Sequence, residues 1–258
     1  MADFQNTIDV FGDDLTAKMI IVKSIEDYSD DIIMNIGKYA FYNCYKLVSV
    51  NIPSVTNLVE SAFQGCRALT SINIPNVVSI GSGAFYDCGI LPSIDIPNVT
   101  SVGSSAFSNC IMLSSIDLPN VTTIDSSVFY NCNALQSVNI PNVTSIGRNA
   151  FNYCNTLPSI DIPNVTSVDE GAFGNCKSLT SIDAPKVIQV GRLAFYNCSK
   201  LTSVRLPAIP PTLVTSDAFN NINSECVFYI PTGSLSAYQS ATNWSSLTST
   251  YSFVEEER

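Results

Sequence analysis

The chain has 258 residues, 46% apolar and 13% charged, with nine cysteines, one tryptophan and no histidine. Without imidazole there is no base for a Ser/His/Asp or Cys/His nucleophile and no histidine-containing metal site, which removes the commonest hydrolytic and zinc chemistries. A net charge of −10, from 12 Lys+Arg against 22 Asp+Glu, repels phosphate backbones and anionic lipid heads, so neither nucleic acid nor a membrane surface is an expected partner.

Residues 1–24 read as an N-terminal cap, a helix with Asp13 or Asp14 as N-cap and Leu15, Met19 and Val22 on one face. The longest apolar runs, such as Met19-Ile20-Ile21-Val22, are far too short to span a bilayer, so no membrane insertion is expected. Met1-Ala2-Asp3-Phe4 lacks a basic start, and Asp9, Asp13 and Asp14 fall where the apolar region of a secretory leader belongs. The sequence as given therefore predicts no signal peptide and no unaided exit by the general secretory route.

From residue 25 the chain is periodic. Cys44, Cys66, Cys88, Cys110, Cys132, Cys154, Cys176 and Cys198 are each 22 residues apart, and phenylalanine keeps the same step from Phe41 to Phe195, as does proline from Pro53 to Pro207. A period of that length marks a solenoid. With Leu69 as position 1, one unit runs from Leu69 to Ile90 and its apolar positions are 1, 4, 6, 9, 12, 16, 17 and 20. Ile72 and Ile74 have strand spacing, and Pro75, with no N–H to donate, stops the ladder. Val77 and Ile80 bracket a second short extended piece, and Gly81 allows a turn. Ala84, Phe85 and Cys88 fall on one face of a single expected helical turn.

Such a coil cannot bury its apolar columns alone, so neighbours must stack with parallel strands about 4.8 Å apart. The expected organisation is an N-terminal cap over 1–24, a nine-coil solenoid over 25–224 and a terminal strand with a cap helix over 225–258. The last coil, Leu201 to Ser224, has 24 residues, its two extra falling near Pro210-Pro211. Beyond it Phe228-Tyr229-Ile230-Pro231 repeats the strand, and 232–247 reads as a helix closing the core with Leu235, Tyr238 and Trp244.

The eight column cysteines read as packing. Stacked coils bring their Cα atoms within disulfide range, but in-register side chains point the same way, and the ninth coil has Ile222 at that position. No C-x₂-C pair exists for zinc. Cys226, outside the column, is the one cysteine singled out as a candidate reactive thiol. No cofactor, catalytic group or metal site is assigned.

Outward positions carry what the chain has to say about partners. Position 3 is serine from Ser49 to Ser203, and position 5 reads Asn51, Asn73, Asp95, Asp117, Asn139, Asp161, Asp183, Arg205. The adjacent pairs Asp95/Asp117 and Asp161/Asp183 repel, and a calcium ion or a basic protein segment would relieve them; a solvated stripe is the bland alternative. Position 18 supplies a second candidate surface in Tyr42, Tyr86, Tyr130 and Tyr196, with Tyr153 beside it, residues that give large contact area at low entropic cost. The same tyrosines can equally stack over neighbouring coils. Asn98, Asn120, Asn142 and Asn164 open Asn-Val-Thr triplets that recur because the repeat does.

These columns, Leu-x-Ser-Ile-x-Ile-Pro-x-Val-x-x-Ile-Gly-x-x-Ala-Phe-x-x-Cys, resemble the BspA-type leucine-rich repeats of bacterial surface proteins over about residues 25–231. The resemblance implies a right-handed α/β superhelix with a parallel concave sheet and short helical turns, and it implies adhesion, host-protein binding and surface display. Asn6 to Asp14 and Tyr229 to Ser246 resemble stand-alone repeat proteins of gut bacteria and their phages, which are associated with tail or surface assemblies; with no leader expected, that resemblance implies a virion or cytoplasmic product, the cell surface by another route being the alternative. The function expected is a non-enzymatic binding module facing a protein or glycan. The alternative is a structural spacer of a phage tail or surface assembly, joined through the solenoid ends.

Overall fold

A computed structural model of the chain describes Ser24–Glu26 and residues 35–257. The expected N-terminal cap helix lies outside the described residues. Over the rest, each coil contributes a main-sheet strand such as Ser71–Asn73 and then a two-residue strand such as Ser79–Ile80. The pairings are parallel, and within the array they join equivalent positions of successive coils, Ser49 to Ser71 and Ser145 to Ser167 among them. The register follows from the alternation: Ile72 is buried between exposed Ser71 and Asn73, so a one-residue slip would turn the core face outward.

The main sheet parts at two places, and proline is at both. Elsewhere the position-2 N–H donates to the position-2 carbonyl of the preceding coil, as from Thr70 to Val48 at 2.9 Å and from Gln136 to Ser114 at 2.8 Å. Pro92 and Pro158 hold that position and have no N–H to give. The coil of Pro92 meets its predecessor through the isolated bridge of Asn73 with Asp95 and forms no ladder with Ser115–Asp117 after it, although Ser114 N donates to Pro92 O at 3.0 Å; Ser159–Asp161 opens a new sheet instead of pairing with Ser137–Asn139.

The third side of each coil is not the expected helical turn. Positions 15 and 19 take positive φ, for example Ser105 at 58° and Asn109 at 61°, and left-handed residues four apart cannot lie in one α-helix. The segment forms successive i to i+3 turns, and alternate N–H groups donate to the next coil: Phe85 to Ala106 at 2.8 Å and Asp87 to Ser108 at 2.9 Å. This side is thus a hydrogen-bonded ladder of turns. The 24-residue coil departs from it with a short 3₁₀ helix, Ser216–Phe219.

Inside, the phenylalanine column is a stack of rings from Phe41 to Phe219, successive centroids 5.0–5.7 Å apart and planes within 20° of parallel. Phe228 meets the last ring edge-on, and Trp244 and Tyr238 close the end. The closing segment is two helices, α1 (Leu235–Ser240) and α2 (Trp244–Thr250), separated where Asn243 takes φ 66°. It buries Tyr238, Trp244 and Leu247, with Leu235 packed partly buried against the core. A strand that the sequence pattern did not announce, Ser252–Glu256, then pairs in parallel with Val227–Pro231 and stacks Phe253 on Phe228 at 4.9 Å.

Candidate functional site

Cys66, Cys88, Cys110, Cys132, Cys154, Cys176 and Cys198 are buried and Cys44 is half-buried, all as free thiols. The column does more than fill volume. Each buried thiol donates to the phenylalanine carbonyl of the preceding coil, Cys88 Sγ to Phe63 O at 3.2 Å and Cys132 Sγ to Phe107 O at 3.1 Å among them. Spacing alone gave no sign of this weak bond. Burial pushes these thiols well above the ordinary range, Cys198 to about 12. Cys226 is corrected as a reactive candidate: it is 1% exposed, and burial pushes it to about 12, so little thiolate forms near neutral pH.

Position 5 lies on the exposed face of the main sheet, and the structure brings its members into register. Asn73 donates to Asn51 at 2.8 Å and Asn139 to Asp117 at 2.7 Å, so part of the stripe satisfies itself. Asp161 and Asp183 are direct cross-strand partners, both exposed, and no cation among the described residues pairs with either. Arg205, in register with Asp183, turns the other way: its Nε is 3.2 Å from Glu256 and its guanidinium lies over the Tyr229 ring. Calcium prefers about six to eight oxygen ligands, and no cluster of three or more Cys, Asp or Glu suited to a metal occurs among the described residues.

The tyrosines do not form one continuous platform. Tyr42, Tyr86, Tyr130 and Tyr196 are half-buried, and Gln64 and buried Ser108 stand between the first three. Tyr42 meets Tyr39 edge-on at 5.5 Å, and Tyr130 meets Tyr153 at 5.8 Å, so two of them are engaged in local pairs. The asparagines of the Asn-Val-Thr triplets also have work within the fold. Asn98, Asn120, Asn142 and Asn164 each donate to a proline carbonyl of the preceding coil, at 2.7–2.9 Å.

The irregular coil makes a surface that residue types alone did not single out. In a regular unit the position after Pro-x is inward, as buried Val187 is. The two-residue insertion moves Pro211 into a buried position, and Ile209 is turned outward at 81% exposure. With Ile188, 66% exposed, Pro207 and Pro210, it lines an apolar groove of about 560 Å³. A smaller depression of about 260 Å³, lined by Asp161, Pro163, Asp183 and Pro185, adjoins it in the chain through Pro185 and Lys186. The loop is held from behind. Tyr238 Oη donates to Pro207 O at 2.7 Å, Trp244 Nε1 to Pro211 O at 2.7 Å and Asn243 Nδ2 to Leu213 O at 2.9 Å. The signal available in the sequence was the insertion itself, Ala208-Ile209-Pro210-Pro211 in the one long coil.

Stacked coils with a leucine-led strand, parallel ladders and one continuous apolar core define a leucine-rich-repeat protein. The family model described as BspA type leucine rich repeat region matches residues 34–158 and 144–253, with six copies, and the chain belongs to that family. No curated protein sequence matches it. Among solved structures it is similar to a leucine-rich cell surface protein of Faecalibacterium prausnitzii A2-165, at 24% identity and TM-score 0.48 over 82% of this chain and 80% of that one. It is similar to the leucine-rich-repeat protein of T. pallidum at 26% identity and TM-score 0.49, over 71% and 78% of the two chains. Its likeness to the pneumococcal vaccine antigen PcpA, 16% identity and TM-score 0.55 over 92% and 72%, is one of fold. No helix among the described residues is long and apolar enough to cross a membrane.

Proposed function

We propose that the chain is a non-enzymatic binding module that meets a protein partner with the exposed main-sheet face and adjoining corner of its C-terminal coils. The observation that carries this reading is the in-register pair Asp161 and Asp183, exposed and without an ion-pair partner among the described residues, with Asp183 on the coil that also forms one wall of an apolar groove on a braced loop. Rigid presentation lowers the ordering cost of association, and acidic surface steers basic partners. Family membership supports the same reading, since leucine-rich repeats expose an extended, regular surface. Display on a cell surface or a virion is the setting in which such a module would act as an adhesin.

An array of immobilised proteins and glycans, probed with the labelled full chain, tests the reading. The expected result is binding to proteins whose signal falls when Asp161 and Asp183 are both changed to Asn. A blank array, or signals indifferent to that change, contradicts it. The spacer alternative is separated by deleting one regular unit, residues 113–134, which a length-dependent spacer would register in its assembly and the C-terminal surface would not.

A further inference from the structure

Resting on the binding reading above, we infer that the groove of the long coil takes an extended segment of a partner protein in which an aliphatic or aromatic side chain lies next to lysine or arginine. The apolar half of this specificity comes from Ile209 and Ile188, which stand out at 81% and 66% exposure with Pro207 and Pro210 between coils. An exposed aliphatic pair on a mobile loop would be of little use to a ligand. This loop is fixed by bonds from Tyr238, Trp244 and Asn243, and Tyr238 and Trp244 are fully buried, so the apolar surface is preformed.

The charged half comes from what surrounds the groove. Asp161 and Asp183 line the depression that adjoins it in the chain as like charges in register, and no Lys or Arg among the described residues forms an ion pair with either. Lys186 donates to Asn164 Oδ1 at 2.7 Å, and Arg205 is held by Glu256 and Tyr229. Lys186 keeps its charge at the groove wall, since its partner is a neutral amide, so a cation brought by a ligand would be drawn past it to the uncompensated carboxylate of Asp183, on the same coil as the Lys186–Ile188 wall. An acidic segment would meet repulsion there, reinforced by the net charge of −10. An extended segment suits the site because the groove runs across consecutive coils, with Lys186–Ile188 on one and Pro207–Thr212 on the next.

The test is a phage-displayed library of random peptides of about a dozen residues, selected on the full chain, with affinities of the enriched peptides measured at low and high salt. Enriched peptides are expected to pair an apolar residue with Lys or Arg. Ile209→Asp should weaken them about tenfold or more, and Asp161→Asn with Asp183→Asn several-fold, the second loss shrinking at high salt. Ile188→Asp provides an independent change on the other wall, and circular dichroism checks that each variant is folded. Peptides that are acidic or lack a basic residue overturn the inference, as do peptides that bind both isoleucine variants unchanged. Peptides weakened by the change of Asp161 and Asp183 but by neither isoleucine change would overturn it while leaving the binding reading in place. Selection of nothing, together with a blank array, would defeat both.

Discussion

At the scale of single residues, close approach between coils is set by which positions lack a side chain. An added Cβ at Gly81 would meet the backbone of the preceding coil, Glu60 N and Val59 C, at 2.6 Å, whereas at Gly89 the nearest atom is Ile111 Cγ1 at an ordinary 3.7 Å. Gly81→Ala should therefore cost about 1–3 kcal/mol through forced separation of the coils, while Gly89→Ala should be near neutral. Denaturant midpoints of the two variants check the contrast, and equal midpoints would contradict it. The thiols give a second prediction. Burial raises their pKa values in the folded chain, Cys198 and Cys226 to about 12, so above the ordinary thiol pKa the unfolded chain has lost protons that the folded chain keeps. Stability is fully present below about pH 9 and falls as pH rises from there toward 12, by about 1.4 kcal/mol per pH unit for each such thiol. Urea unfolding followed between pH 8 and pH 10 should show the midpoint dropping steeply; Cys198→Ala should make the drop shallower.

At the scale of elements, the strands were legible because a period-2 alternation inside a fixed repeat leaves one register. The two interruptions of the main sheet were also written in the sequence, in Pro92 and Pro158, although only the ladder shows what they remove. The third side was misread for a physical reason. Ala84, Phe85 and Cys88 all point inward, and that grouping fits one helical turn as well as a run of tight turns. The left-handed residues at Gly83 and Asp87, with hydrogen bonds running between coils, decide for the turns. Ile209 was hidden for a related reason: an insertion shifts which residues face the core, and apolarity alone places it inward. The role of proline in the ladder leads to a test at Thr180, whose N–H donates to Pro158 O at 3.0 Å and whose hydroxyl bonds the same carbonyl. Thr180→Pro should lower stability by about 1–3 kcal/mol and open a further break in the main sheet, read as faster hydrogen exchange in the coils that flank it. Unchanged exchange there would show that the interstrand bond is dispensable.

At the scale of the whole molecule, nearly every contact joins a coil to its immediate neighbours, so stability is close to a sum over coils and the interfaces between them. The ends are where that sum fails. A middle coil offers two matched faces, and removing one lets the remaining coils close in the same register. Deleting residues 113–134 should thus leave a folded, shorter solenoid that keeps its groove, because the phenylalanine stack simply rejoins Phe107 to Phe151. The C-terminal end has no replacement. Residues 235–257 supply the rings of Tyr238, Trp244 and Phe253 that cover Phe228, and they supply the donors that hold the carbonyls of Pro207, Pro211 and Leu213. A chain lacking them should expose Phe219 and Phe228, self-associate in gel filtration and lose the ligands of the groove, although the acidic pair and both groove isoleucines remain. A cap-less chain that stays monomeric and binds the groove peptides unchanged would show that the loop holds its shape unaided and that the cap serves neither solubility nor recognition.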